Sequence, residues 1–128
     1  MTDAPSRAVD STDIGAGIGF GIDGFLAADI RVGRVLRAED FSRAPKPAYK
    51  LWIDFGELGT LQSSAQITDL YDLDDLPGRT VLAVVNLPPQ QVAGFLSEAL
   101  VLGVPDENGR NAALITPDHH VEPGSRLM

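Results

Sequence analysis

From Tyr49 to Gly56 the chain reads Tyr-Lys-Leu-Trp-Ile-Asp-Phe-Gly, with apolar residues at 49, 51, 53 and 55 and Lys50, Trp52 and Asp54 between them. A period of two fits a β-strand with one face turned inward, and a helix cannot gather that set on one side. Gly56 ends it. Val81 to Leu87 is a continuous apolar run rich in β-branched residues, as expected of a central strand, and Pro88-Pro89 stops it. These two segments make the chain β-rich before anything else is considered.

The remaining elements follow from the same pattern. Ile30 and Val32 share a face, and Val35 then falls out of phase beside Gly33, which predicts a bulge or strong bend in the first strand. A loop, Ser42 to Ala48, leads into the 49–56 strand, and residues 58–64 form another. Ile67, Leu70 and Tyr71 lie at helical spacing, so a short helix is expected over 65–71. Glu98 to Val104 and Ala112 to Thr116 supply the last strands, joined by a turn over 105–110. Five or more short strands, one short helix after the third and a bent first strand point to an all-β, five-stranded Greek-key barrel of the OB type.

The chain has 128 residues, enough for one domain. No apolar run approaches ~18 residues, so no membrane insertion is expected, and no secretory leader is read at the start. Cysteine is absent, which excludes disulfides, thiolate metal sites and cysteine nucleophiles. Ten Lys and Arg against 18 Asp and Glu give a net charge of −8, and lysine occurs only at Lys46 and Lys50. That balance opposes a nucleic-acid footprint. It fits acidic solubility or a salt-rich cytoplasm.

Residues 1–24 read as a flexible, glycine-rich acidic tail, with the domain over 25–128. Glycines at 15, 17, 19, 21 and 24 cost backbone entropy on ordering and bring no side chains in return. Ile18, Phe20, Ile22 and Phe25 could still pin its second half to an apolar surface. Gly19, Gly21 and Gly24 spell a dinucleotide fingerprint. The required strand before them is missing, and a strand-like segment follows where a helix should be. The segment to Phe25 has a charge of −3, leaving −5 on the rest.

Nothing resembles an active site. His119 and His120 are adjacent on a turn beside Asp118 and would point to opposite sides, so no metal is assigned to them. No nucleophile elbow surrounds Ser63, Ser64 or Ser97. Neither enzymatic activity nor a cofactor is expected. Three stretches are harder to explain as plain surface. Lys50, Trp52 and Asp54 share the outward face of their strand, and Trp52 there is either a binding anchor or packed under the tail or a second subunit. Gln62-Ser63-Ser64-Ala65-Gln66 presents small and amide groups. Asn86 to Phe95 is a proline corner with Gln90, Gln91, Gly94 and an exposed-looking Phe95.

Asp29-Ile-Arg-Val-Gly-Arg-Val, Lys50-Leu-Trp-Ile-Asp-Phe-Gly56, Gln62-Ser-Ser-Ala-Gln-Ile67, Val85-Asn-Leu-Pro-Pro and Gly94-Phe-Leu-Ser-Glu-Ala-Leu-Val-Leu102 are ordered as in the tRNA-binding OB-fold domain family. That family includes the C-terminal module of methionyl-tRNA synthetase and the EMAP-II cytokine-type domains. The wording Gln62-Ser-Ser-Ala-Gln-Ile resembles its CsaA-type export-chaperone branch. The resemblance covers residues 25–128. It implies a cytoplasmic homodimer that holds unfolded or precursor polypeptides, with structure-specific tRNA binding as the alternative. It places the site on the strand 2–3 groove, lined by Lys50, Trp52, Gln62, Ser63, Ser64 and Gln66, with Asn86, Gln90, Gln91 and Phe95 from the neighbouring corner. Gln90-Gln91 stands where that branch commonly has basic residues, which removes phosphate contacts. Arg31, Arg34, Arg43, Lys46 and Lys50 could still gather into a local basic patch.

Overall fold

The computed structural model describes residues 21–128. Strand β1, Ile30–Asp40, is the spine. It pairs antiparallel with β2, Tyr49–Asp54, along its second half and with β4, Thr80–Val84, along its first. Strand β3, Thr60–Ala65, adds antiparallel to β2, and β7, Leu100–Val101, adds antiparallel to β4. The sheet order is therefore β3-β2-β1-β4-β7. It curls into a nearly closed barrel, because the Glu98 and Ala99 amides both donate to the Gln62 carbonyl of β3, at 2.8 and 3.3 Å.

The curl has identifiable causes. The β1–β2 register shifts between Val35 and Arg37, which leaves Leu36 half exposed while Val35 stays buried. This is the bend expected in the first strand, set at the out-of-phase valine. At Gly33 the barrel walls approach so closely that a Cβ would lie 2.5 Å from Ile53 Cγ2 and 2.6 Å from Phe55 Cε1. A side chain there would push β1 off β2. Leu51, Ile53 and Phe55, the inward set of the alternating strand, are fully buried with Val35, Leu76, Val81 and Ala83.

Two further hairpins decorate the barrel. Strands β5, Gln90–Val92, and β6, Phe95–Ser97, form one; β8, Gly103–Pro105, and β9, Ala112–Leu114, form the other. The C-terminal segment lies along β1: the Val32 amide donates to Ser125 O, the Gly124 amide to Val32 O and the Leu127 amide to Ile30 O.

Two expectations need correction. No α-helix forms over 65–71; only a 3₁₀ turn, Leu73–Asp75, lies between β3 and β4. The Tyr49 hydroxyl donates to Tyr71 O at 2.8 Å and the Leu114 amide donates to the Tyr71 hydroxyl at 2.9 Å. Those bonds hold this stretch in an irregular path that buries Ile67. The short α-helix is instead α1, Gly21–Ala27, ahead of β1. Gly21 to Gly24 therefore belong to a helix, while the rest of the expected tail, with Gly19 and its motif, lies outside the described residues.

Candidate functional site on the outer face of the barrel

On the outward face of β1–β2–β3 the register aligns Arg37 with Trp52 and Gln62, and next to them Glu39 with Lys50 and Ser64. Trp52 does not stand free. The Arg37 guanidinium lies 4.0 Å from its ring centroid and is paired to Glu39 at 2.6 Å. The indole N–H donates to Gln62 Oε1 at 3.2 Å, and Gln62 in turn donates through Nε2 to Leu96 O at 2.9 Å. Trp52 is thus half buried, its polar edge satisfied and one face covered by a cation.

The cover on its other side is the β5–β6 hairpin. Phe95 meets Trp52 and Phe41 edge-on, at 5.7 and 5.4 Å between centroids. With Ala48, Phe41 and Phe95 form a second small core outside the barrel. Lys50 reaches over this cluster, its Nζ 5.0 Å from the Phe41 ring and 5.3 Å from Phe95. Phe95, expected to be exposed, is buried. The two-residue turn at Ala93-Gly94 folds the hairpin back so that Phe95 faces the barrel wall.

Beside the cluster runs a groove between the β1–β2 loop and this hairpin. Pro45, Lys46, Ser64, Gln66, Gln90 and Val92 contribute to its lining, together with Ser97 and Leu100. The structure therefore brings together Lys50, Trp52, Gln62 and Phe95 in the covered cluster, and Ser64, Gln66 and Gln90 in the groove beside it. Gln91 is exposed on the same hairpin but does not line the groove.

Two expected site residues lie elsewhere. Ser63 points into the barrel opposite Leu51 and is only 1% exposed, since the period of two turns alternate residues of β3 inward. Its hydroxyl finds no hydrogen-bond partner among the described residues. Asn86 is a clamp: Oδ1 accepts from the Asp29 amide at 2.9 Å and Nδ2 donates to Ala27 O at 2.8 Å, tying the end of β4 to the α1–β1 junction. The five basic residues do not form one patch. Arg31 is bound to Asp29 at 2.7 Å and to Gly124 O at 3.0 Å, away from Lys46 and Lys50.

Arg37, Phe41, Val92, Ser97 and Leu100 line or cover this candidate site and are not among the residues expected from the sequence. Arg37 could have been found from its place opposite Trp52 once the β1 bulge was counted. Val92 and Ser97 sit on the β5–β6 hairpin, whose three-residue strands give almost no periodic signal, while Phe41 and Leu100 reach the site from just after β1 and from β7. Among the described residues no group of His, Asp and Glu is arranged to hold a metal ion, and no helix is long and apolar enough to cross a membrane.

This geometry has known counterparts. The family model described as a putative tRNA binding domain matches residues 30–126. The methionine–tRNA ligase of Methanocaldococcus jannaschii is 36% identical over 77% of this chain, which spans 15% of the ligase. Among solved structures, the chaperone CsaA of Bacillus anthracis matches with a TM-score of 0.78 and 48% identity, covering 84% of this chain and 97% of that one. The CsaA chaperone protein of Picrophilus torridus matches with a TM-score of 0.77, also at 48% identity, over 83% and 96%. Matched along nearly all of its barrel, the chain belongs to the tRNA-binding domain family and is of its CsaA type.

Proposed function

We propose that this chain is a non-enzymatic binding protein that holds unfolded or precursor polypeptides in the cytoplasm before export, acting as a homodimer. The observation that carries the reading is the chemistry of the outer groove. Proline, valine and leucine side chains lie beside amides and hydroxyls, with Lys46 as the single charged residue of the lining. Such a surface takes apolar side chains and unpaired backbone amides, both of which an unfolded chain offers in quantity. Matching the CsaA chaperones over almost their whole length supports this, whereas the synthetases are matched only over a small part of theirs. Ile22 and Leu26 of α1 are exposed, as are Leu127 and Met128, which supports a self-association face; two grooves in one dimer would raise apparent affinity for a long client.

Structure-specific tRNA binding is the second reading, favoured by the family match and by the two cations stacked on the aromatic cluster. Aggregation of an unfolded precursor, followed by light scattering with and without the protein, tests the first. Full-length protein suppresses aggregation at stoichiometric amounts, and Trp52→Ala, which undermines the groove's aromatic support, lowers the suppression severalfold while the barrel's far-ultraviolet spectrum is kept. Unaltered suppression in the variant removes Trp52 from the site. No suppression by the parent removes the chaperone reading, and sedimentation of the parent as a monomer removes the dimer.

A further inference from the structure

The outer groove has a neighbour at the base of the β5–β6 hairpin. Gln90, Ser97 and Leu100 line the groove, and the same three residues line a second depression of about 470 Å³. Leu87, Pro88, Pro89 and Glu98 supply most of the remaining lining of that second depression. Gln90 and Ser97 are cross-strand partners, so the wall common to the two depressions is a single rung of the hairpin with Leu100 beside it.

The two depressions differ in charge. Lys46 is the one ionisable residue lining the first, and Glu98 is the one ionisable residue lining the second. Neither takes part in an ion pair among the described residues. Glu98 is half buried and locked in place: its Oε1 accepts from the Gln62 amide at 3.0 Å, and its own amide donates to Gln62 O at 2.8 Å. Around it the lining is apolar. Leu87 and Leu100 are 46% and 51% exposed, and the two prolines fix the backbone between Leu87 and Gln90, so this wall loses little freedom when it is covered. On the common wall, Ser97 Oγ accepts from the Ser64 amide at 3.0 Å and keeps its own proton to donate.

We infer that the two depressions form one track that reads opposite charges at its two ends. An extended polypeptide segment lies across the Gln90–Ser97 wall, with an aliphatic side chain between Leu87 and Leu100, a cationic side chain on Glu98 and a carboxylate on Lys46. The inference rests on the polypeptide-binding reading and specifies which client segments are preferred: those carrying an acid and a base on either side of aliphatic residues. Charge complementarity selects this occupant, because a fixed carboxylate and a lysine, each without an ionic partner, are matched only by a ligand bearing both signs. A nucleic acid brings one sign, and Glu98 repels its phosphates along half of the track. A client backbone crossing the common wall meets the Ser97 hydroxyl and the exposed Gln90 amide, which bond peptide groups whatever the client's sequence.

The test uses the full-length protein, labelled with nitrogen-15, and three synthetic probes: acetyl-Glu-Ser-Leu-Ser-Leu-Lys-amide, the same peptide with glutamine for its lysine, and the same peptide with glutamine for its glutamate. Saturable shifts of the Leu87, Glu98 and Leu100 amides, together with those of Lys46 and Val92, are expected with the first peptide. Glu98→Gln, which keeps an acceptor for the Gln62 amide, weakens the first peptide about threefold and leaves the lysine-free one unchanged. Lys46→Gln weakens the first peptide about threefold and leaves the glutamate-free one unchanged, the scale of an ion pair at the rim of a site. Leu87→Ser weakens all three alike, about fivefold. Losses that ignore the peptide's charges, shifts in one depression only, no binding of any peptide, or displacement by an oligouridylate each overturns the track. Those failures with aggregation suppression intact leave the chaperone reading standing.

Discussion

Ala93 adopts φ of 47° and Gly94 φ of 85°, the two left-handed positions of the turn joining β5 to β6. Consecutive positive φ angles make a type I′ turn, whose twist matches a two-residue hairpin. An alanine there carries a steric penalty of roughly 1–2 kcal/mol that asparagine partly escapes by hydrogen-bonding locally. Ala93→Asn is therefore expected to stabilise the protein by roughly 0.5–1 kcal/mol, read as a higher denaturant midpoint with an unchanged slope. An unchanged midpoint would mean that the barrel, not the turn, fixes the hairpin. The consequence is functional, because this turn seats Phe95 against Trp52 and Phe41 and so sets the height of the groove wall. Gly94 stood out in the sequence as a glycine within the proline corner. Its effect on Phe95 was not legible, because the direction of a side chain after a tight turn depends on register, which a three-residue strand does not reveal.

Among the elements, the clasp between the two ends of the described chain depends on a titrating carboxylate. Asp29 accepts from Arg31 Nε at 2.7 Å and lies 3.4 Å from Arg126, whose Nη2 also donates to Leu26 O at 2.7 Å. The hydrogen bond from Arg31 holds the Asp29 carboxyl below its ordinary range, against a smaller opposing effect of burial. A carboxyl lowered in the folded state contributes stability above its unfolded pKa, about 3.9, and loses it as pH falls through the folded value. Asp29→Asn is expected to lower stability at neutral pH and to flatten the acid limb below about pH 4, with α1 and the C-terminal segment exchanging their amides faster. An identical acid limb in variant and parent would contradict this. The elements themselves were unequally legible. β2 and β4 stood out because alternation and a β-branched run are strong signals over six or seven residues. The spacing of Ile67, Leu70 and Tyr71 satisfied a helical template that lost to tertiary bonds, since Tyr49 and Leu114 both claim Tyr71. Of the site, Lys50, Trp52, Gln62 and Ser64 could be read from a period of two, but Ser63 had to fall inward by the same rule.

At the scale of the whole molecule, charge distribution separates the two functional readings. The net charge is −8, yet Arg37, Arg43 and the chain's two lysines, Lys46 and Lys50, occur within fourteen consecutive residues that include only Glu39 and Asp40 as acids. Arg37 and Lys50 are stacked on the aromatic cluster and Lys46 borders the groove. If RNA binds, it binds here, and at most four cations can release counterions. A slope near −0.9 per phosphate then caps the loss between 50 and 200 mM salt at about two orders of magnitude, with the acidic remainder of the surface lowering affinity throughout. Lys50→Gln should remove about one unit from that slope. A titration of tRNA at the two salt concentrations, with parent and variant side by side, measures it. Micromolar or weaker tRNA binding, with a shallow slope that Lys50→Gln reduces, is the outcome expected of a protein built chiefly for polypeptides. Submicromolar binding with a slope steeper than four contacts allow would require cations outside this face and would make RNA the principal partner.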